Sequence, residues 1–330
     1  MTRSMNLIRS GLFSLVALGA GGVILLLTPS SSLLGIYTHA VIYAIFALGV
    51  GILLRQNGLV SFGHALFFGG AGYGMGLILE LHWMSAELAL LMVLAVIAVV
   101  AFLIALIIVR VPGIAFGMLT LAIGQMAYLL VARARGITGG ADGMGIPWPS
   151  TLFGVAESAL LKPATLFMVS WAVLVVVTFI VHQILCTRFG AVTAAIRDNE
   201  ERARFIGIKT LLPRALIFAL SAVVAGVAGL LAALNTGFIS PESLHWSVSA
   251  TTLLMVVVGG FRHLVGPIVG AIAYFLFKDL LGEWATHSMA IFGVALILVI
   301  VFSPDGLTGA LERLSNRCRR ALRGHLDGSR

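Results

Sequence analysis

Few residues of this chain have the types and spacing that could do chemistry, and the densest group of them lies in GAVTAAIRDNEERARFIGI, Gly190 to Ile208. There Asp198 precedes Arg202, and Glu200 precedes Arg204, by four residues. On a helix over 190–206 these are i,i+4 ion pairs with the acid on the N-terminal side, the favourable order. Paired in this way the charges hold a shape and leave no free acid or base. Val192, Ala195, Ile196, Phe205 and Ile206 give the stretch an apolar side, so the spacing predicts a self-supporting helix that leans on another surface. Gly190 and Gly207 bracket it and read as breaks.

Other chemistry is thin. Lys162, Lys209 and Lys278 each follow an apolar residue, so there is no Gly-Lys of a phosphate-binding loop, and GxGxxG, HExxH and GxSxG do not occur. The histidines have no carboxylate or cysteine at metal-ligand spacing, and no metal is expected. Among polar side chains within apolar stretches, Thr120 and Gln125 stand deepest, with His39, His64 and Asn235 nearer the ends. No acid or base is expected at the middle of a stretch, where a charge costs about 2.5–3.5 kcal/mol on insertion scales. A proton-coupled carrier, a charged-ring channel or a membrane enzyme lacks its parts here.

The surrounding sequence is 60% hydrophobic and 10% charged over 330 residues, the composition of a membrane protein. Uncharged runs cover 11–27, 33–54, 59–79, 88–109, 112–131, 164–186 and 215–234, lengths suited to a hydrocarbon core about 30 Å thick. The first run is read as a retained span, since LTPSSS after it lacks a small-x-small cleavage site. From 248 to 301 the pattern is interrupted by GGFRHLVGP and KDLLGEW, giving two short pieces, 248–261 and 264–281, and one full span.

The formal charge is +8, and it is distributed as membrane topology requires, with no basic stripe interleaved with aromatics that would read nucleic acid. A cytoplasmic N-terminus places Arg55, Arg110, the loop 187–214 and the basic tail 304–330 on one side, and Glu80, Glu87 and the loop 132–163 on the other. The fold class is therefore all-α and polytopic, with about ten transmembrane segments, some broken or re-entrant: residues 1–303 form the membrane domain and 304–330 a cytoplasmic tail. Cys186 and Cys318 fall on the reducing side and are expected to stay free thiols. Glycines four apart, Gly70 with Gly74 and Gly266 with Gly270, fit close helix packing. The clusters Gly58–Gly76 and Gly259–Gly270 equally fit a broken helix in each half of the chain.

A membrane protein without an ATP site or proton relay, but with a rigid charged island, points to energy delivered by a partner docking there. At this point the sequence resembles the permease subunits of branched-chain amino acid ABC importers, the LivM-type branch. The resemblance is carried by GLVSFGHALFFGGAGY (58–73), VRVPGIAFGMLTLAIGQ (109–125), TGGADGMGIP (138–147), RFGAVTAAIRDNEERARFIGI (188–208), AGVAGLLAALNTGFISPESLHW (225–246) and LLMVVVGGFRHLVGPIVGA (253–271). Phe261, Arg262 and His263 depart from the family's usual glycine and small residue after Gly259 and Gly260.

The resemblance implies a bacterial inner-membrane subunit working with a second homologous permease, two ABC ATPase subunits, a periplasmic solute-binding protein and membrane lipid. ATP and Mg would be used by the ATPases, and no cofactor by this chain. It assigns ATPase coupling to Arg197, Asp198, Asn199, Glu200, Arg202, Ala203 and Gly207. The translocation path is expected at Ser61, Gly63, His64, Thr120, Gln125, Gly259 and Gly260, and binding-protein contact at Gly139, Gly140, Asp142 and Glu242. Branched-chain amino acids are the expected cargo, with urea, short amides or aromatic acids as alternatives.

Overall fold

The computed structural model describes residues 2–282 except 29, 83 and 150, together with 293, 306–310, 312 and 313. The expected last full span, between the KDLLGEW interruption and residue 301, and most of the basic tail, Cys318 included, lie outside the described residues. The described chain is helical through most of its apolar stretches. In order, α1 spans Thr2–Leu27, α2 Ser31–Asn57, α3 Ala65–Glu80, α4 Ala86–Ile108, α5 Gly113–Arg133, α6 Arg135–Thr138, α7 Glu157–Leu160, α8 Pro163–Leu185, α9 Arg188–Asp198, α10 Glu200–Phe205, α11 Leu211–Thr236, α12 Trp246–Gly259 and α13 Gly266–Gly282. Four two-residue strands, β1 Met144–Gly145, β2 Thr151–Leu152, β3 Val155–Ala156 and β4 Phe238–Ile239, occur only in the connections.

Two helices form the centre. α2 and α11 pack along each other, and almost every side chain of α2 from Ala40 to Leu53 is inside the protein. A helix that is apolar all round belongs in such a position, because none of its faces is adapted to water. α4, α5 and α8 are peripheral and turn large apolar side chains outward, among them Leu91, Val99, Ile107, Met118 and Ile180. An exterior of this kind belongs against lipid or another apolar surface. These three, with α2 and α11, are the five described helices long and apolar enough to cross a bilayer.

Two expected spans are shorter than a bilayer. α3 has 16 residues and α12 has 14, about 24 and 21 Å at 1.5 Å per residue. The run 59–79 is thus a half-length helix preceded by a non-helical entry at 58–64. α12 and α13 run in opposite directions as a hairpin, joined by the turn 260–265. A Cβ on Gly270 would strike the carbonyl oxygen of Met255, and one on Gly259 that of Gly266, so two bare backbones set this packing. The second glycine cluster therefore both packs and breaks a helix. Gly70 has open space beside it while Gly74 faces Val93, so that pair is not a packing seam. Gly69 and Gly72 hold the close contacts, against Leu244 and Ile239.

The bundle has two distinct ends. The C-terminal end of α2, helices α9 and α10, and the turn 260–265 gather at one, the island end; Thr308 donates to the Gly259 carbonyl there, so the start of the tail lies at the same end. β1 pairs antiparallel with β4 at the other, placing Met144 opposite Ile239 and uniting the loop 132–163 with the start of α12.

Candidate functional site

The site grows from the interruption between α2 and α3. Gly58 caps α2 in the left-handed conformation, φ 65°, and the chain turns back into the bundle without forming a helix. Non-helical backbone at membrane depth must find other partners for its amides. Hydroxyl groups supply them. Thr120 Oγ1 of α5 accepts from the Phe62 amide at 3.2 Å, Ser61 Oγ from that of Gly63 at 3.3 Å, and Ser249 Oγ of α12 from that of Ala65 at 2.7 Å. A Cβ on Gly63 would collide with the Thr120 carbonyl oxygen, so only glycine lets this strand of chain lie flat on α5.

His64 closes the arrangement. It is fully buried, with Nδ1 at 2.8 Å from Ser61 Oγ and Nε2 at 2.7 Å from Ser221 Oγ of α11. Ser221 donates its own proton to the Gly49 carbonyl of α2 at 2.7 Å, so its oxygen accepts from His64. The network thereby assigns the tautomer: Nε2 carries the hydrogen and Nδ1 accepts from Ser61. The rings of Phe67 and Phe218 meet the imidazole edge-on, with centroids at 5.8 and 5.3 Å. Neutral His64 is thus a clasp that ties the broken segment to the two central helices.

Ser61, Gly63, His64 and Thr120 are brought together as a site. The expectation that His64 stands near a span end is corrected. Ser221 lies ten residues inside α11, about 15 Å from its start, because non-helical chain covers more distance per residue than a helix does. An ionisable side chain does sit at depth, in its uncharged form. Ser221, Ser249 and Gly49 were not foreseen; small hydroxyls in apolar helices were visible, but nothing in the sequence paired them with His64. Gln125 is elsewhere, on a cavity of about 440 Å³ with Leu121, Met126 and Arg133, and its buried Oε1 has no hydrogen-bond partner among the described residues. Gly259 and Gly260 lie at the island end in the hairpin turn, beside Gly306, apart from His64.

The island differs from the single helix expected. Asn199 is extended, φ −160° and ψ 102°, and its side chain accepts from the Arg202 amide at 2.9 Å, ending α9 and capping α10. This break removes the i,i+4 geometry of Asp198 and Arg202, and Asp198 pairs with Arg197 at 2.7 Å instead. The Glu200–Arg204 pair forms at 2.6 Å as expected. Gly190 is inside α9 against the Leu185 carbonyl and is no break, whereas Gly207, φ 84°, is one.

Both halves of the island are fastened to the central helices. Thr193 donates to Gln56 Oε1 at 2.9 Å and Arg197 to the Arg55 carbonyl at 2.6 Å, holding α9 to the end of α2. Glu200 holds α10 to the start of α11: one oxygen accepts from Arg204 and from Thr210, at 2.6 and 2.9 Å, and the other from Arg214. Burial pushes the Glu200 carboxyl up, but the Thr210 hydroxyl and the charges of Arg214 and Arg204 outweigh it and hold the group below its ordinary value of 4.5. Ala203 is buried; Arg202, Gly207, Phe205 and Ile206 are exposed, the last two at 90% and 72%. Two large apolar side chains thus stand at the tip.

At the opposite end, Asp142 and Glu242 are exposed on neighbouring loops, Gly139 is half-buried, and Gly140 is buried under Arg135, so its surface role is excluded. A cavity of about 630 Å³ opens there between α2, α12 and α13, lined by His39, Tyr43, Ser247, Thr251, Lys278 and Asp279, with apolar wall from Met255 and Phe275. Among the described residues neither Lys278 nor Asp279 forms an ion pair.

Comparison with known proteins fits this geometry. The family described as "Branched-chain amino acid transport system / permease component" matches residues 32–303. The high-affinity branched-chain amino acid transport system permease protein LivM of Salmonella typhimurium is 27% identical over 292 residues, 82% of this chain and 69% of that protein. The Escherichia coli K12 protein of the same name is 28% identical over 297 residues, with the same shares. The autoinducer 2 import system permease protein LsrC of Escherichia coli O9:H4 is 34% identical over 171 residues, 48% of this chain and 49% of the relative. No solved structure matches.

Proposed function

The chain belongs to the family of branched-chain amino acid transport system permease components and is a multi-pass membrane permease of that type; from this premise we propose that it is the translocation subunit of an ATP-driven importer in a bacterial inner membrane. In this reading residues 1–303 form the path together with a second, homologous permease. Two ATPase subunits hydrolyse ATP with Mg and seat the island 187–214. A periplasmic binding protein delivers solute to the loops that carry Asp142 and Glu242, and the tail 304–330 lies in the cytoplasm.

The observation that carries the proposal is the fastening of the island to the two helices that clasp His64. Glu200 grips Arg214 at the base of α11, and Ser221, seven residues further on, grips His64. A rigid helix passes a displacement at its base over about 10 Å with little loss. Movement of the island by an ATPase would thus reach the broken segment and re-aim it, a shift of packed helices around a fixed site. Proton coupling is disfavoured, since both nitrogens of His64 are engaged within the protein.

The outer cavity supports a zwitterionic cargo over urea or an amide. Lys278 offers a cation for a carboxylate, Asp279 an anion for an ammonium, and Met255 and Phe275 an apolar wall for a branched side chain. The test uses the detergent-solubilised chain, its candidate ATPases and vesicle uptake. Deletion of 197–202 is expected to abolish ATPase capture. Lys278→Met is expected to retain capture yet lower leucine uptake at least about tenfold, the scale of one lost charge-assisted hydrogen bond. Capture by the deletion variant would sink the coupling assignment, and unchanged leucine uptake by Lys278→Met the cargo assignment.

A further inference from the structure

At the end opposite the island, β2 and β3 form a hairpin whose two turn residues are Phe153 and Gly154, with Thr151 opposite Ala156 and Leu152 opposite Val155. Both turn residues have positive φ, 50° and 78°. A two-residue turn of this kind favours asparagine or aspartate followed by glycine, because a bulky side chain is strained in the left-handed region. Phenylalanine at the first position is therefore a strained choice, and packing does not explain it: the residue is 70% exposed, while its neighbour Leu152 is buried. A carboxylate holds it in place. Glu87 Oε1 accepts from the Phe153 amide at 2.9 Å, a charge-assisted bond between the hairpin and the first turn of α4.

That bond fixes the height of the turn. α4 has 23 residues, about 35 Å at 1.5 Å per residue, against a hydrocarbon core about 30 Å thick, so its first turn lies at the boundary between acyl chains and headgroups. Leu88 and Leu91, one and four residues after Glu87, are exposed and begin the outward apolar stripe of α4. The Phe153 ring is thus exposed beside a surface suited to lipid, at the height where aromatic side chains favour the bilayer interface. Glu87 and Glu157 flank the hairpin, so the attraction is apolar and needs no anionic headgroup.

We propose that Phe153 is a membrane anchor: the turn dips its ring into the headgroup–acyl boundary beside α4 and tethers the loop 132–163 to the bilayer surface. The β1–β4 pair ties the same loop to the start of α12, so the anchor sets the height of that connection as well. The proposal rests on the membrane fold and stands apart from the cargo and coupling assignments.

The experiment places the full chain, with Cys186→Ser and Cys318→Ser, in nanodiscs of palmitoyl-oleoyl phosphatidylcholine and attaches one nitroxide at Phe153→Cys or, for comparison, at Asp142→Cys on an exposed loop. The label at 153 is expected to collide with oxygen and to be shielded from a water-soluble nickel complex, and the label at 142 to show the reverse order. A second measurement needs no label. The amides of 151–156 are expected to exchange hydrogen about tenfold faster in Phe153→Asn, the scale of one large apolar side chain losing its apolar contact, and at the parent rate in Phe153→Trp. A turn that served only the hairpin would behave oppositely, since asparagine suits the left-handed region and would slow exchange. Equal access of nickel to both labels would overturn the proposal, and so would slower exchange in Phe153→Asn. Shielding of the 153 label that appears only when a candidate periplasmic binding protein is added would also overturn it and give the surface to that protein.

Discussion

His64→Leu is expected to abolish uptake in reconstituted vesicles while the protein still inserts into the membrane. The substitution removes an acceptor for Ser61 and a donor to Ser221 at a fully buried position. Each buried polar group left unanswered costs about 1–3 kcal/mol, and membrane proteins fall at the low end, so a loss of about 2–4 kcal/mol is expected in a thermal melt. Stability and transport separate in one further variant. Ser61→Ala and Ser221→Ala added to His64→Leu remove the two hydroxyls that lose a partner, at the cost of the hydrogen bonds these still make with the Gly63 amide and the Gly49 carbonyl, so the gain in stability is partial. That triple variant should recover part of the melting temperature and none of the uptake. Full recovery of uptake would show that the clasp is only structural.

Glu200→Gln is expected to leave the membrane domain folded and to cut ATP-driven uptake to about a tenth or less, since charge-assisted hydrogen bonds contribute roughly 1.5–3 kcal/mol each. Arg214 has a side chain only 11% exposed, and Glu200 supplies its counter-charge. Glutamine keeps the shape but leaves that cation unneutralised beside the N-terminus of α11, where the helix dipole is also positive. A double-mutant cycle with Arg214→Gln should show a coupling energy, because the second change removes the stranded charge. Purely additive losses would argue that Glu200 acts through the ATPase surface alone.

The same carboxylate gives a pH signature with a definite sign. Its folded value lies below its ordinary one, so its stabilisation is complete above about 4.5 and is lost as the pH falls through the lower folded value. The melting difference between the parent chain and Glu200→Gln should be constant near neutrality and shrink only in acid, below the carboxyl's ordinary value of 4.5. A difference that already declines between pH 7 and 6 would place the titration on a histidine.

Reading the sequence against the structure shows where local information stops. The helices α2, α4, α5, α8 and α11 were legible because continuous apolarity over 20 or so residues has one stable outcome in a bilayer, a helix that satisfies its own backbone. The Glu200–Arg204 pair was legible because its partners are one turn apart. Asp198 and Arg202 obeyed the same rule and failed it, because one asparagine preferred to cap rather than continue. Local spacing says which pairs a helix permits, and the cap decides whether the helix is there.

By itself, the sequence determined the membrane class, the helical fold and the existence of a charged island between two spans, since each follows from composition or from contacts within one turn. Tertiary structure alone decided that His64 lies at depth, that Ser221 and Ser249 answer it and its neighbouring amide, and that Glu200 bolts the island to Arg214. Those partners are 157, 184 and 14 residues apart. A hydroxyl in an apolar helix looks the same in sequence whether it bonds to its own backbone or to a histidine on another helix, and only packing brings the second kind of partner within reach.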